Sequence, residues 1–414
     1  MLRPARPQVP QAIARQMAAD HERFKAGLPV PLEKYVQETY GIDLSSEYAG
    51  LAIKNPFGKA SGQLSLAMHQ VERDATAGLG FVVLKTVIAQ NEAGVQSMQE
   101  WAIPETRMKV ERIRGADGSL GWTVTWKGRG WHKSLASYLN FFREALAIGN
   151  AATMLIVPSC KYHLPSPGEK QWRVEEYEFT TRTLLRVWRD AGNKGAMPLE
   201  KDFSPTLAGS SRAAQKQKIL EWLATVPDLI HRAVEPDSVK VGLKIFNSMF
   251  NDEFQLEMLE LAHRRSPARA DFLVYANRLF DPDKVFLGKK GVAYGGPDLS
   301  ARNLSVLKAW RQRECALSAT GRSAAPLPIS GTGDIGSGRM AAEYLLQGCG
   351  SFQIHTLFQL PNSEFAMNVG SKIDRALHRL FFDPEEGFLA WLCHLRKAFG
   401  WPAQMNVRQM AEFC

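Results

Sequence analysis

Eight short apolar runs separated by amphipathic stretches set the tightest limit on how this chain can fold. The runs are Phe57–Ser61, Phe81–Thr86, Met154–Ser159, Met197–Phe203, Val239–Phe246, Phe272–Ala276, Leu327–Gly331 and Ser351–Thr356. Between them, SLASYLNFFREALA, EEYEFTTRTLLRVWRDAG, KILEWLATVPDLIHRAV, DEFQLEMLELAHRR and GRMAAEYLLQGC repeat apolar residues at helical spacing. Strands apolar on both faces and alternating with helices belong to a parallel sheet covered by helices. Eight such units predict an α/β chain folded as a (β/α)8 TIM barrel. A length of 414 residues with 45% hydrophobic content is enough for that barrel with insertions.

The remaining segments read as additions to one domain. Residues 1–45 form an N-terminal helical arm in which LEKYVQETYG is the clearest helix. Residues 46–362 carry the barrel. Near 106–127, TRMKVERIR and SLGWTVTWK alternate around Ala116-Asp117-Gly118 and predict an inserted β-hairpin. Phe280–Asn303, rich in glycine and lysine, reads as a long loop over the barrel mouth. Residues 363–414 are a helical extension, with IDRALHRLFF and GFLAWLCHLRKAF packing outside the barrel or against a second copy in a homodimer.

Composition narrows the partners. The net charge is +9, yet Lys and Arg are scattered with no basic run interleaved with aromatics, so no nucleic-acid partner is expected. A positive field still suits an anionic cofactor or substrate. No apolar run reaches membrane-span length and no signal peptide is evident, which predicts a cytoplasmic protein without a membrane partner. Five cysteines without a CxxC pair fit a reducing compartment and predict no metal or cluster site.

One stretch carries ligand chemistry by its own composition. Pro328–Thr356 reads as a strand, a turn with Gly331, Gly333, Gly336 and Gly338, a helix, and a second strand ending in His355-Thr356. Glycines admit backbone N–H groups close to an anion, and the following helix turns its positive end towards the same point. That combination is built to hold a phosphate.

Together, GLAIKNPFGKASG, GFVVLKTV, VGLKIF, AYGG and ISGTGDIGSG…FQIHT resemble the FMN barrel of the dihydroorotate dehydrogenases and dihydropyrimidine dehydrogenase. The resemblance covers about residues 45–360, in order. It implies that Ala60, Ser61 and Gly62 run along the flavin ring, and that Lys85 and Thr86 contact the ring and ribityl chain. Lys244 is implied at the N1/C2 edge, where a fixed cation stabilises reduced flavin and eases hydride acceptance at N5. Asn277 is implied under the substrate, while Gly295, Gly296, Gly331, Thr332, Gly333, Asp334, His355 and Thr356 are implied around the phosphate. Asp334 stands where the family has glycine, so its carboxylate must point away or pair with a cation such as Arg339.

The family also needs a base from an N-x-S-C/S-P-N loop. VPSCKYHLPSPGEK offers Cys160, but placing that loop on strand four leaves no third strand. PLEKDFSPTLAGSS offers Ser204, 40 residues before Lys244, with Cys160 then on strand three. Ser204 is the candidate proton-transfer residue, with Asp202 or a water chain to take its proton, because a free serine is too weak an acid. An ungapped alignment instead puts Pro205 at the base position. Lys201 or Asp202 and Thr206 replace the asparagines that grip pyrimidine amides, making Lys201 and Thr206 candidate substrate contacts. Losing those amides predicts a changed substrate, with His132, Arg129 and His355 as replacements. The expected activity is an FMN-dependent oxidoreductase acting on CH–CH or C=C bonds, with a small-molecule substrate and an unidentified electron donor or acceptor. The alternatives are a genuine dihydroorotate or dihydropyrimidine dehydrogenase, or a flavin-binding protein without turnover.

Overall fold

The computed structural model describes residues 4–104, 107–127, 130–166, 168–203, 216–248, 250–263, 270–286, 289–319, 326–402 and 404–412. Its centre is a curled, wholly parallel sheet of ten strands, numbered here in chain order: β1 (Phe57–Lys59), β2 (Phe81–Val83), β3 (Val87–Ile88), β4 (Leu155–Val157), β5 (Ser159–Lys161), β6 (Met197–Asp202), β7 (Val239–Phe246), β8 (Phe272–Asn277), β9 (Ile329–Thr332) and β10 (Cys349–Ile354). Neighbours follow the order β3-β5-β6-β7-β8-β9-β10-β1-β2-β4. Every one of the eight expected runs overlaps a strand; β3 begins just past the end of the second run, and the third divides between β4 and β5. Pro158 makes that division, since proline cannot donate to a ladder. On either side of it, β4 pairs with β2 and β5 with both β3 and β6.

Burial on both faces explains the continuous apolar runs. In β7 every residue but Lys240 is buried. Outside the sheet lie the helices Leu135–Ala151, Val174–Asp190, Lys216–Arg232, Asp252–His263 and Gly338–Leu345, close to the amphipathic stretches of the sequence. Val174–Asp190 shows why: Tyr177, Thr181, Leu184 and Trp188 recur at three- and four-residue spacing and are all buried.

A second, smaller apolar cluster fills the inside of the curl. Ser46–Tyr48 and Leu51–Ile53 form a short antiparallel hairpin. Its Tyr48 ring lies 4.6 Å from Phe81 and 5.2 Å from Phe272, residues of strands far apart in the sheet order. Gly242 leaves room for the Phe272 ring, which a side chain there would strike.

The inserted hairpin is present, as Arg107–Arg114 paired with Leu120–Lys127. The expected loop over 280–303 is not a loop. Leu279–Phe286 and Lys289–Tyr294 pair as an antiparallel ribbon, and a long helix, Pro297–Ala319, begins directly after it. Pro282 and the run of charges hid this alternation in the sequence. Both ends of the chain pack on one another: Phe24 meets Phe382, and Gln8 donates its N–H to His394 Nδ1 at 3.1 Å. The helices Lys372–Phe382 and Phe388–Phe399 cover the outside of the sheet, with Phe381 and Phe388 on Phe57. Cys160, Cys349 and Cys393 are free and buried, whereas Cys315 is disulfide-bonded, which a reading of the cysteines as fitting a reducing compartment did not anticipate. Among the described residues, no helix is long and apolar enough to cross a membrane.

The arm is anchored by one carboxylate. Buried Asp20 accepts from the Tyr35 and Tyr40 hydroxyls, each at 2.7 Å, and from Gln16 Nε2 at 3.0 Å. Burial, then this contact, pushes the Tyr40 phenol up, so it stays a donor. Asp20→Ala strands the buried Tyr40 hydroxyl and should cost about 1–3 kcal/mol, read as a lower urea midpoint with an unchanged slope.

Candidate functional site

Parallel strands end on one side, and there the strand ends enclose a cavity of about 560 Å³. From β1 come Ala60, Ser61 and Gly62, and after β2 come Lys85 and Thr86. Asp202 ends β6, Lys244 lies near the end of β7, and Asn277 and Arg278 close β8. Thr332 ends β9 and Gly333 and Asp334 follow it, while Gln353 and Ile354 end β10 and His355 and Thr356 follow it. Gly295 and Gly296 line the wall after the ribbon, and Trp122 and Gly121 of the inserted hairpin reach the mouth.

Two predicted residues do not reach it. Gly331 faces the helix behind it, where a Cβ would lie 2.9 Å from the Tyr344 ring. Lys201 alternates outwards on β6, and its ammonium sits 3.2 Å from the Tyr162 carbonyl, fully buried. Burial pushes its pKa down to about 7. It is therefore a packed lysine, set apart from the cavity wall. His132 is exposed and also absent from the wall. Ser204, Pro205, Thr206 and Arg129 lie outside the described residues. Cys160 sits in the apolar core with its thiol pushed up by burial to about 12, too basic to react.

Several cations crowd one end of the cavity. Lys85 is buried, and desolvation lowers its pKa to about 8 against the opposing pull of Asp202. Asp202 stands beside Lys244 in register, 4.0 Å from Lys161 Nζ. Burial, then Arg278, Lys244, Lys85 and Lys59, push His355 down to about 3, so its imidazole is neutral at any working pH. Ser61 Oγ, Thr86 Oγ1 and Ser159 Oγ form a hydroxyl chain at 2.9 and 3.0 Å. Arg278, with φ 31°, donates to the Ala293 carbonyl at 2.8 Å and to the Val124 carbonyl, tying the ribbon and the hairpin over the mouth.

The glycine-rich turn is held from below by Asn303. Its amide nitrogen lies 3.0 Å from the Ala276 carbonyl, 2.9 Å from that of Thr332 and 3.0 Å from Tyr344 Oη. Its oxygen accepts from Asn247 Nδ2 at 3.0 Å. Gly333 has φ +111°, and a Cβ there would lie 2.7 Å from the Asn303 amide, so glycine is required twice over. Asp334 adopts φ 55° and accepts from Ser300 Oγ at 3.1 Å. Arg339, its expected partner, instead bonds Glu386 at 3.4 Å and the Ala5 carbonyl at 3.1 Å. Burial raises Asp334 to about 7, with the nearby Asp298 adding to the shift.

Sequence reading missed Arg278, Gln353, Asn303 and the buried Glu200. Signals existed for two of them. Arg278 directly follows Asn277 at a strand end, and Glu200 is an acid inside an apolar strand, a position charges enter only when matched. The chain matches no protein-family model and no curated protein. Asn303→Ala should loosen the ends of β8 and β9 together. We expect a loss of about 1–3 kcal/mol in urea unfolding and a weaker hold on phosphate-bearing ligands in calorimetry.

Proposed function

We propose that this protein is an FMN-dependent oxidoreductase, similar to the dihydroorotate dehydrogenases but acting on another substrate, in the cytoplasm. One observation carries the reading. Five sequence segments spread between Gly50 and Thr356, singled out for one cofactor, bring their residues to a single cavity at the strand ends. In this reading the ten strands are the eight of a closed (β/α)8 barrel with the second and third each interrupted. The pairing of β4 with β2 and of β5 with β3 and β6 supports that closure.

The residues present fit the cofactor. Gly62 packs directly on His355, where a Cβ would come 2.6 Å from Nε2, so glycine there lets the imidazole stand close against the backbone of the cavity wall. Ala60, Ser61 and Gly62 would flank it, Lys85 and Thr86 its side, and Lys244 the edge where negative charge gathers. Gly295, Gly296, Thr332, Gly333, Asp334 and Thr356 would surround the phosphate, with neutral His355 as a hydrogen-bonding wall. Gly331 acts only by letting the strand pack against Tyr344. FMN when bound supplies the two-electron acceptor.

The chain's own groups do the rest. Asn277 offers one donor and one acceptor to substrate, and Lys85, Lys244 and Arg278 give the pocket a positive field that favours an anion. A pyrimidine-reading pocket needs several amides, and here the wall offers Asn277 and a Gln353 already bonded to Tyr48 and Glu200. Ser204, two residues beyond Asp202, takes the proton-transfer role, with Asp202 accepting its proton. A small-molecule substrate and a separate electron partner complete the cycle, and a homodimer is compatible with the helices at the chain ends.

Purified protein should be yellow and release one FMN per chain on denaturation; colourless protein with no releasable FMN defeats the cofactor reading. An anaerobic screen of small carboxylates should find a compound that bleaches the flavin, and bleaching by dihydroorotate or dihydrouracil would overturn the changed substrate. Ser204→Ala should slow that bleaching by ~10²–10⁴-fold with FMN still bound. Asp334 supplies a pH test. Below about 7 its carboxyl is neutral and can donate to the phosphate; above, its charge repels it. FMN retention, read by flavin fluorescence, should fall between pH 6 and 8, and Asp334→Asn should flatten most of that dependence.

A further inference from the structure

Beneath the cavity, on its closed side, lies a charged group that the reaction outlined above leaves unused. Glu200 is fully buried in β6. Its Oε1 accepts from both the Tyr48 hydroxyl and Gln353 Nε2, and those two donors are themselves 3.3 Å apart. Among the described residues its Oε2 has no hydrogen-bond partner, and it lies 4.0 Å from Lys244 Nζ. In register Glu200 stands beside Gly242, so no side chain of the neighbouring strand intervenes. Lys244 and Gln353 both line the cavity, and Glu200 is one residue removed from it.

Burial pushes the Glu200 carboxyl up, and against it the Lys244 ammonium facing one oxygen and the two donors converging on the other favour the carboxylate. Asp202, two residues along the same face, adds a second negative charge near Lys244, and Lys85 adds a second positive one. A buried charge held at fixed distance is little screened by salt, so its field reaches the cavity.

We propose that Glu200 is the built-in counter-ion of Lys244 and a positioning residue that sets the electron affinity of the cofactor site. This rests on the FMN reading. Lys244 alone would draw electrons towards the site. Glu200 offsets part of that pull while the Tyr48 and Gln353 bonds fix how far it stands from the ammonium. A merely structural Glu200 would influence stability and leave the potential alone.

The test is the flavin midpoint potential of the FMN-loaded full chain, measured by anaerobic dye equilibration. Glu200→Gln should shift the equilibrium at least tenfold towards reduced flavin, about 30 mV for a two-electron couple. Lys244→Gln should shift it the other way. Glu200→Asp, which keeps the charge, should stay within threefold of the wild type. An unchanged potential in FMN-bound Glu200→Gln overturns the proposal while leaving the cofactor reading intact. If that variant fails to fold, Tyr48→Phe replaces it. Losing the phenol makes the carboxylate easier to protonate and should move the potential in the same direction, and no movement overturns the proposal. Wild-type protein that binds no FMN overturns the cofactor reading itself, a result recognisable before any potential is measured.

Discussion

Because every pairing in the large sheet is parallel, all ten strands finish on the same side, and both faces of the sheet must be covered. Everything else follows from that constraint. The outer face is covered by helices whose buried residues fall at helical spacing, and part of the inner face by the Tyr48 cluster with Phe81, Phe272, Val83 and Val157. The cavity lies at the C-terminal strand ends. Chemistry at those ends is the outcome of a packing rule before it is a matter of particular residues.

The same enclosure makes charge expensive and so makes its arrangement informative. Around the cavity Lys85, Lys244 and Arg278 stand against Asp202 and Glu200, while Lys161 and Lys59 lie just behind. Lys59 is matched by its own partner, the buried Asp74. Lys85, Lys244 and Arg278 face inwards together. One consequence is seen at His355, which burial and four neighbouring cations hold neutral. A ring in that state can donate or accept a hydrogen bond but adds no charge to an already positive pocket.

Much of this was legible in the sequence, for a physical reason. Continuous apolar runs and helical periodicity are properties of the sheet faces, so all eight strand positions and the main helices could be read from them. The hairpin at 107–127 was legible because its residues alternate around a tight turn in which Gly118 has φ +85°. The ribbon at 279–294 was not, since Pro282 and several charges mask its alternation. Lys201 was misjudged because strand direction is a matter of phase: one residue of register separates a side chain in the cavity from one under the Tyr162 carbonyl. Gly331 was misjudged because glycine serves close packing as well as ligands, and here Tyr344 needs the space. Asn303 and Glu200 act through partners distant in sequence, and no local pattern announces such contacts.

The two sides of the cavity are made of different materials, and this decides what each can tell. The side around the glycine-rich turn is largely backbone, glycines and a hydroxyl chain, stabilised from behind by Asn303 and Tyr344. Backbone geometry tolerates few substitutions, so a glycine-rich turn of this kind is legible in the sequence. The other side is made of side chains: Asp202, Asn277, Arg278 and the hairpin residue Trp122. Any of these can change without disturbing the sheet, and Arg278 shows how far one such change reaches. Its guanidinium both faces the cavity and joins two surface ribbons across its mouth. A residue bound to the cover in this way ties the shape of the cavity to the position of that cover. What the cavity can admit is therefore expected to depend on the two ribbons as much as on the strand ends beneath them.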